Sequence, residues 1–308
     1  MTDVRHLISL NDLTDDELAH VVLRGVKLAE DVTAFGDVLH GRVIGIYFSK
    51  TSTRTRTAFT SGALRLGARV IAYGPGDLQL NTGETIEDTG HVLSGMLDGL
   101  VLRTAGPPEE MRALAAHTMP VVNAMSAEEH PTQALADLTT MMTRFGRIEG
   151  LRVLYVGEGN NSAAALARAL PRFPGVELDF RTPPGYGMRP DILAEAVARA
   201  GRSGGVVRER HDMTGLPEGC DVVYTTRWQT TGTTKPDPDW RTVFEPFRVD
   251  ASVMARWPRA VFMHDLPAHR GEEVTADVLD GPRSIAFDQA RHKLHSAMAV
   301  LEWTQGAS

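Results

Sequence analysis

The chain is 308 residues long with 42% hydrophobic residues, enough for two ordinary domains with their own cores. Its formal charge of −7 argues against a general nucleic-acid or membrane binder, since phosphate surfaces demand a basic face, although local arginine clusters can still hold a small anion. The single cysteine, Cys220, excludes an internal disulfide and fits a reducing compartment. With no cationic leader before an apolar core and no apolar run near ~20 residues, a soluble cytoplasmic protein is expected.

In chain order, Asn11 onward reads as a helix carrying Leu18, Val21, Val22 and Leu23 among acids. The run Val43–Phe48 is rich in β-branched and aromatic residues and predicts a buried strand. Phe59, Ala63 and Leu66 then fall at helical spacing, with Gly67 placed to stop the helix. A strand over Arg69–Tyr73, a polar Gly-rich loop from Gly74 to Gly83, and a helix starting near Glu84 follow. Next come a strand Gly99–Leu102 ending at Arg103, a Pro-opened helix Pro108–His117 and a strand Pro120–Asn123. Pro131 opens a long helix at the position where proline is tolerated, and Gly146–Gly150 offers a domain boundary. The alternation restarts with a strand Leu151–Val156, the turn Gly157-Glu158-Gly159-Asn160-Asn161 and an Ala-rich helix. Further strands are expected at Val176–Phe180, Val206–Arg208, Asp221–Thr225 and Ala260–Met263. Between Thr226 and Trp257 periodicity is lost and Pro236, Pro238 and Pro246 interrupt the chain, so this is read as a long mobile segment over a site. A last helix begins at Phe287. The pattern predicts an α/β protein of two doubly wound domains with mostly parallel sheets, residues 1–146 and 147–285, with the C-terminal helix 286–308 returning to the first.

Several constellations carry chemistry. Ser52-Thr53-Arg54-Thr55-Arg56 lies between a strand and a helix start, where free N–H groups and the positive dipole end favour an anion and Arg54 supplies a planar fork for phosphate oxygens. Capping by the hydroxyls with solvent-facing arginines is the other reading, but three hydroxyls interleaved with two arginines exceed what a cap needs. Arg103 ends a buried strand, where open α/β sheets bind ligands. His130 and Gln133 stand at i and i+3 and face one way from a helix start. The Gly157–Asn161 turn lacks the third glycine of a dinucleotide loop, since Ser162 stands there.

Phe48-x-x-x-Ser52-Thr53-Arg54-Thr55-Arg56, His130-Pro131-x-Gln133 and His264-x-Leu266-Pro267 together resemble the aspartate/ornithine carbamoyltransferases, and the resemblance covers nearly the whole chain. It implies a transfer of the carbamoyl group of carbamoyl phosphate to an amine of an amino-acid-like acceptor, giving a ureido product and phosphate, with no metal or organic cofactor. It also implies a homotrimer or a multiple of trimers, with small-molecule substrates as the partners. Ser52, Thr53, Arg54, Thr55, Arg103, His130, Gln133, Leu266 and Lys293 match the family's carbamoyl phosphate site, with Arg103, His130 and Gln133 acting on the carbamoyl group. Positioned donors suit that chemistry, because attack by an amine builds negative charge on the carbonyl oxygen. Asn161, Arg227, Gln229, Asp265 and Leu266 match the acceptor site.

The departures are as informative. Asp265 replaces a family cysteine, putting a charge where a thiol would be. Ser162-Ala163-Ala164-Ala165 departs from the family's Ile-Leu-His-Ser. Thr226-Arg227-Trp228-Gln229-Thr230-Thr231-Gly232 lacks the acid and the Ser-Met-Gly of the ornithine enzymes and resembles the aspartate enzyme's Thr-Arg-x-Gln. Lys293 stands for a carbamoyl-contacting arginine, keeping the charge but losing the fork. The loop Gln79–Glu84, with Thr82, lacks the Lys or His that the family sends into a neighbouring subunit. The sequence therefore favours a specialised acceptor other than ornithine, with Arg227 and Gln229 pointing to one that carries a second carboxylate or other anion. An ornithine carbamoyltransferase proper and a non-catalytic scaffold of the same fold are the alternatives.

Overall fold

Apolar runs flanked by polar turns become parallel strands covered by helices. The structure is a computed structural model, and it describes residues 4–31, 36–230 and 233–307, apart from the side chains of Leu80 and Asn81. Thr231 and Gly232, part of the acceptor segment read above, lie outside the described residues. The chain divides into two compact units, one of Met1–Met142 with Arg291–Ser308 and one of Thr143–Ala290.

The first unit runs α1 (Asp15–Glu30), β1 (Val43–Phe48), α2 (Arg54–Arg65), β2 (Arg69–Tyr73), α3 (Ile86–Ser94), β3 (Gly99–Arg103), α4 (Pro108–Leu114), β4 (Val121–Met125) and α5 (Pro131–Phe145), whose last turn enters the second. Its sheet order is β2-β1-β3-β4 and every pairing is parallel. Thr14 starts α1 with a capping box to Glu17, which satisfies two of the helix's orphan donors. Gly67, at φ +83°, takes the left-handed conformation that ends α2 and lets the chain turn into β2. Ile8, Leu93, Leu97, Leu100, Leu102, Met111 and Val121 pack into one of its cores.

The second unit runs β5 (Arg152–Val156), α6 (Asn161–Ala169), β6 (Glu177–Arg181), α7 (Pro190–Ser203), β7 (Val206–Arg210), β8 (Val222–Thr225), α8 (Trp240–Phe244), α9 (Ala251–Ala255), β9 (Val261–His264), α10 (Ala276–Leu279) and the start of α11 (Ala286–Thr304). Its sheet order is β7-β6-β5-β8-β9, again with parallel pairings. Residues of α11 from Arg291 onward belong to the first unit. No helix among the described residues is long and apolar enough to cross a membrane.

The stretch Thr226–Trp257 differs from expectation. It contains α8 and α9, five residues each, too short to register as a helical period. Trp228, Trp240 and Phe244 bury there with Tyr186 against them, so tertiary aromatic packing rather than local pattern forms this segment.

Candidate active site

In both sheets the chain reverses its direction of advance once. The switch lies between β1 and β3 in the first sheet and between β5 and β8 in the second, and crevices at the carboxyl ends of such strands are where open α/β sheets bind ligands. Ser52–Arg56 and Arg103 fall at the first switch and Asn161 and Arg227 at the second, while His130 and Gln133 follow the neighbouring strand β4 and Asp265 and Leu266 the neighbouring strand β9.

In the first unit, the loop after β1 is tied to the end of β3: Ser49 N–H and Oγ both donate to the Arg103 carbonyl, at 3.0 and 3.3 Å. This brings Ser52–Arg56 to the strand end that carries Arg103, a residue only 8% exposed. Thr53 is the N-cap of α2, yet its side chain makes no cap hydrogen bond. The hydroxyl is therefore not consumed by the helix, which removes the simple capping reading of this residue. Thr55 is buried and Arg54 half-buried.

The turn holding His130 is fixed from behind. Ser126 and Glu129 exchange bonds across it, and the Glu129 carboxylate accepts from Ser9 Oγ (2.7 Å) and Leu10 N–H (2.9 Å). Asn123 joins this network by donating to Ser126 Oγ and to the Ile8 carbonyl. His130 is buried, with Thr132 Oγ1 3.3 Å from Nδ1. Burial, reinforced by the positive charges of Lys293 and Arg103, holds its pKa well below the usual histidine range. At neutral pH it is thus an uncharged ring flanked by two cations. Gln133 sits one turn on: its Nε2 donates to Asp137 Oδ1 (2.8 Å) and its Oε1 accepts from Lys293 Nζ. The amide oxygen has two lone pairs, so the lysine bond leaves one acceptor position. Arg103, His130, Gln133 and Lys293 are therefore gathered in one unit.

In the second unit, three strand ends converge. Asp265, after β9, receives hydroxyl bonds from Ser162 at the start of α6 (2.9 Å) and from Thr226 after β8 (3.0 and 2.9 Å to its two oxygens). Asn160 caps α6 through Oδ1, accepting from Ser162 and Ala163 N–H, while its Nδ2 donates to Thr230 Oγ1 (3.1 Å) and Thr226 Oγ1 (3.5 Å). Gly159 must be glycine here, because a Cβ would collide with the backbone of Gly187 and Met188. Asn161 is buried as the first residue of α6.

His264 is fully buried. Its Nδ1 accepts from Leu266 N–H (2.8 Å) and its Nε2 lies 3.1 Å from Glu273 Oε1. Burial lowers its pKa, but the hydrogen bonds and charges of Asp265 and Glu273 outweigh burial and raise it. Leu266 has φ +54°, a conformation costly for an L-residue, and the His264 bond helps hold it there. Arg227 is half-buried. The Gln229 side-chain amide is committed within its own loop, donating to Thr233 O at 2.7 Å.

Sequence reasoning missed Asp137, although i+4 from Gln133 was the signal, and missed the partnership of Ser162 and Thr226, which nothing local announces. It also passed over Lys235, whose Nζ reaches Glu158 Oε1 at 2.6 Å.

The shifted histidines give a pH signature. His295, next to His292, is pushed to about 4 by burial and by the nearby His292, Arg291 and Arg65 charges, and His130 is displaced the same way. An unfolded chain takes up these protons first, so their contribution is complete above pH ~6.5 and lost as pH falls toward 4. His264, shifted oppositely, contributes in full throughout that window, since its contribution is lost only as pH rises above ~6.5, and it does not alter the acid limb. Thermal midpoints should therefore fall between pH 6.5 and 5, before most carboxylates titrate. A constant midpoint over that range would refute the burial assignments.

Residues 5–143 match the family described as aspartate/ornithine carbamoyltransferase, carbamoyl-P binding domain. Residues 149–304 match its Asp/Orn binding domain. An ornithine carbamoyltransferase of Symbiobacterium thermophilum is 40% identical over 96% of each chain, and one of Thermococcus kodakarensis is 38% identical over 98% of this chain and 96% of its own. The solved ornithine carbamoyltransferase from Pyrococcus furiosus superposes with a TM-score of 0.91 at 37% identity, covering 98% of this chain and 97% of that one.

Proposed function

Because the chain belongs to the aspartate/ornithine carbamoyltransferase family, we propose that it carbamoylates the side-chain amine of ornithine or a closely similar diamino acid. The first unit would hold carbamoyl phosphate, with Ser52–Thr55 on the phosphate and Arg103, His130 and Gln133 on the carbamoyl group. The second would hold the acceptor, with Asn161 on its amino-acid end. The amine nitrogen attacks the carbamoyl carbon, a C–N bond forms, and the C–O bond to phosphate breaks. Phosphate departs with the electron pair and is itself basic enough to take the proton the amine loses. Negative charge grows on the carbonyl oxygen during attack, and positive charge on the nitrogen.

The observation that carries the choice of acceptor is Asp265. It is a carboxylate after β9 gripped by two hydroxyls that flank the switch point of the second sheet, and it suits an acceptor nitrogen that is cationic or becoming so. The aspartate-like reading of Arg227 and Gln229 has lost one of its two supports, since the Gln229 amide is engaged with Thr233 O. The names carried by the relatives favour ornithine as well. For assembly, a homotrimer remains our reading. Exposed Leu64, Ile71, Val92 and Met96 of the first unit offer apolar surface for it, and light scattering would report the mass.

The test is phosphate release and ureido-product formation with carbamoyl phosphate across ornithine, 2,4-diaminobutyrate, lysine and aspartate. A diamino acid should be the preferred acceptor. Asp265→Asn should lower kcat/KM for it at least tenfold, on the scale of a lost partner in a desolvated charge pair. Preference for aspartate would return the role to Arg227 and overturn this reading.

A further inference from the structure

Lys235 is singular among the described lysines in its surroundings. Its side chain is 4% exposed although it stands in an irregular segment. Its ammonium lies 4.3 Å from the ring centre of Tyr186, 4.8 Å from Phe244 and 5.4 Å from Trp240. Three aromatic faces and one carboxylate, Glu158 Oε1 at 2.6 Å, make a desolvated cage in which a cation is strongly held.

The cage is wired to the acceptor residues. Glu158 belongs to the turn after β5, and its other oxygen, Oε2, accepts from Thr230 Oγ1 at 3.3 Å. Thr230 Oγ1 accepts in turn from Asn160 Nδ2, and the same Nδ2 donates to Thr226 Oγ1. Thr226 then donates to Asp265. The polarity is consistent throughout. One amide, fixed by capping α6, supplies a proton to each of two threonine hydroxyls, and each hydroxyl turns its own proton to a different carboxylate. The chain is part-buried along its length, and a network of this kind that loses one member tends to rearrange as a whole.

We propose that Lys235 is a positioning residue for the acceptor. By satisfying Glu158 it keeps the Thr230–Asn160–Thr226 chain in the orientation that aims the Asp265 carboxylate. This rests on the assignment of Asp265 to the acceptor amine given above. Removal of the ammonium leaves the half-buried Glu158 carboxylate with its charge uncompensated. Thr230 and Asn160 are then recruited to solvate it, and the hydroxyl facing Asp265 turns away.

Three variants test this. Lys235→Met keeps the length and apolar stem inside the cage but removes the charge, and should raise the ornithine KM about tenfold, with the carbamoyl phosphate KM unchanged and kcat within a few-fold. Lys235→Arg, which restores a cation for the aromatic faces and Glu158, should recover most of the loss. Adding Glu158→Gln to Lys235→Met should recover part of it by deleting the uncompensated carboxylate. Calorimetric titration with ornithine gives a second readout that needs no turnover. Weakened binding in Lys235→Met with restoration in Lys235→Arg supports the proposal even if the wild type transfers no carbamoyl group, a result that would sink the reaction assignment alone. A Lys235→Met protein that is less heat-stable but binds and uses ornithine as the wild type does would overturn it, leaving Lys235 a purely structural cation.

Discussion

Replacing His130 by alanine is expected to lower kcat by roughly 10²- to 10³-fold, the scale of one lost oxyanion donor, while the KM for the amine stays within a few-fold. The ring is uncharged because it is buried between two cations, and a neutral imidazole donates a hydrogen bond without first paying to desolvate a charge of its own. Its donor is worth most when the carbonyl oxygen becomes an oxyanion, so the loss falls on turnover rather than on ground-state binding. The turn is anchored by Ser126 and Glu129 rather than by the imidazole, so the variant should keep its fold. The same geometry predicts that kcat shows no ionisation of His130 between pH 6 and 8. A variant with normal kcat and a raised amine KM would move His130 to the acceptor.

Arg54→Ala should weaken carbamoyl phosphate binding by about 10²-fold or more. Hydrogen bonds to charged groups contribute ~1.5–3 kcal/mol each, a guanidinium fork makes two of them, and each ~1.4 kcal/mol is tenfold. Arg54 is the first residue of α2 and half-buried, so the thermal midpoint should change little. Arg54→Lys should fall between the two, keeping the charge and losing the fork. Calorimetry with carbamoyl phosphate, and with inorganic phosphate as a control, reads this directly. Undiminished affinity in Arg54→Ala would remove the loop from the phosphate site.

How much of this was legible beforehand follows from the range of the forces involved. Val43–Phe48 and Gly99–Arg103 announce themselves as strands because burial writes apolar residues into consecutive positions, Arg69–Tyr73 does so by its β-branched and aromatic content alone, and the structure has those three bounds. The alternation of such runs with helical spacing was enough for the α/β class and its parallel sheets. Motif spacing was enough for the family. The short helix α8 was invisible because Trp240 and Phe244 are ordered by Trp228 and Tyr186, contacts no local window contains, and α9, capped by Asp250, is too short at five residues to show a period. The environment of Asp265 was hidden for the same reason, since its hydroxyl partners come from 39 and 103 residues away. Gln229 shows what motif spacing leaves out: in the structure its amide donates to Thr233 O, four residues along the loop.

The division of the first unit between the two ends of the chain sets an order on biosynthesis. A ribosome releases residues 1–142 long before it makes Arg291–Ser308, and the whole second unit lies between them in time. Until then Gln133 lacks Lys293, the surface of α2 at Gly62 lacks Met298, and Arg24 lacks Glu302. The early nascent chain can build the sheet that carries Arg103 and the phosphate loop, but not the finished pocket. The pairing of Gln133 with Lys293 is therefore completed only after the whole second unit has been made, when the turns of α11 beyond Arg291 emerge.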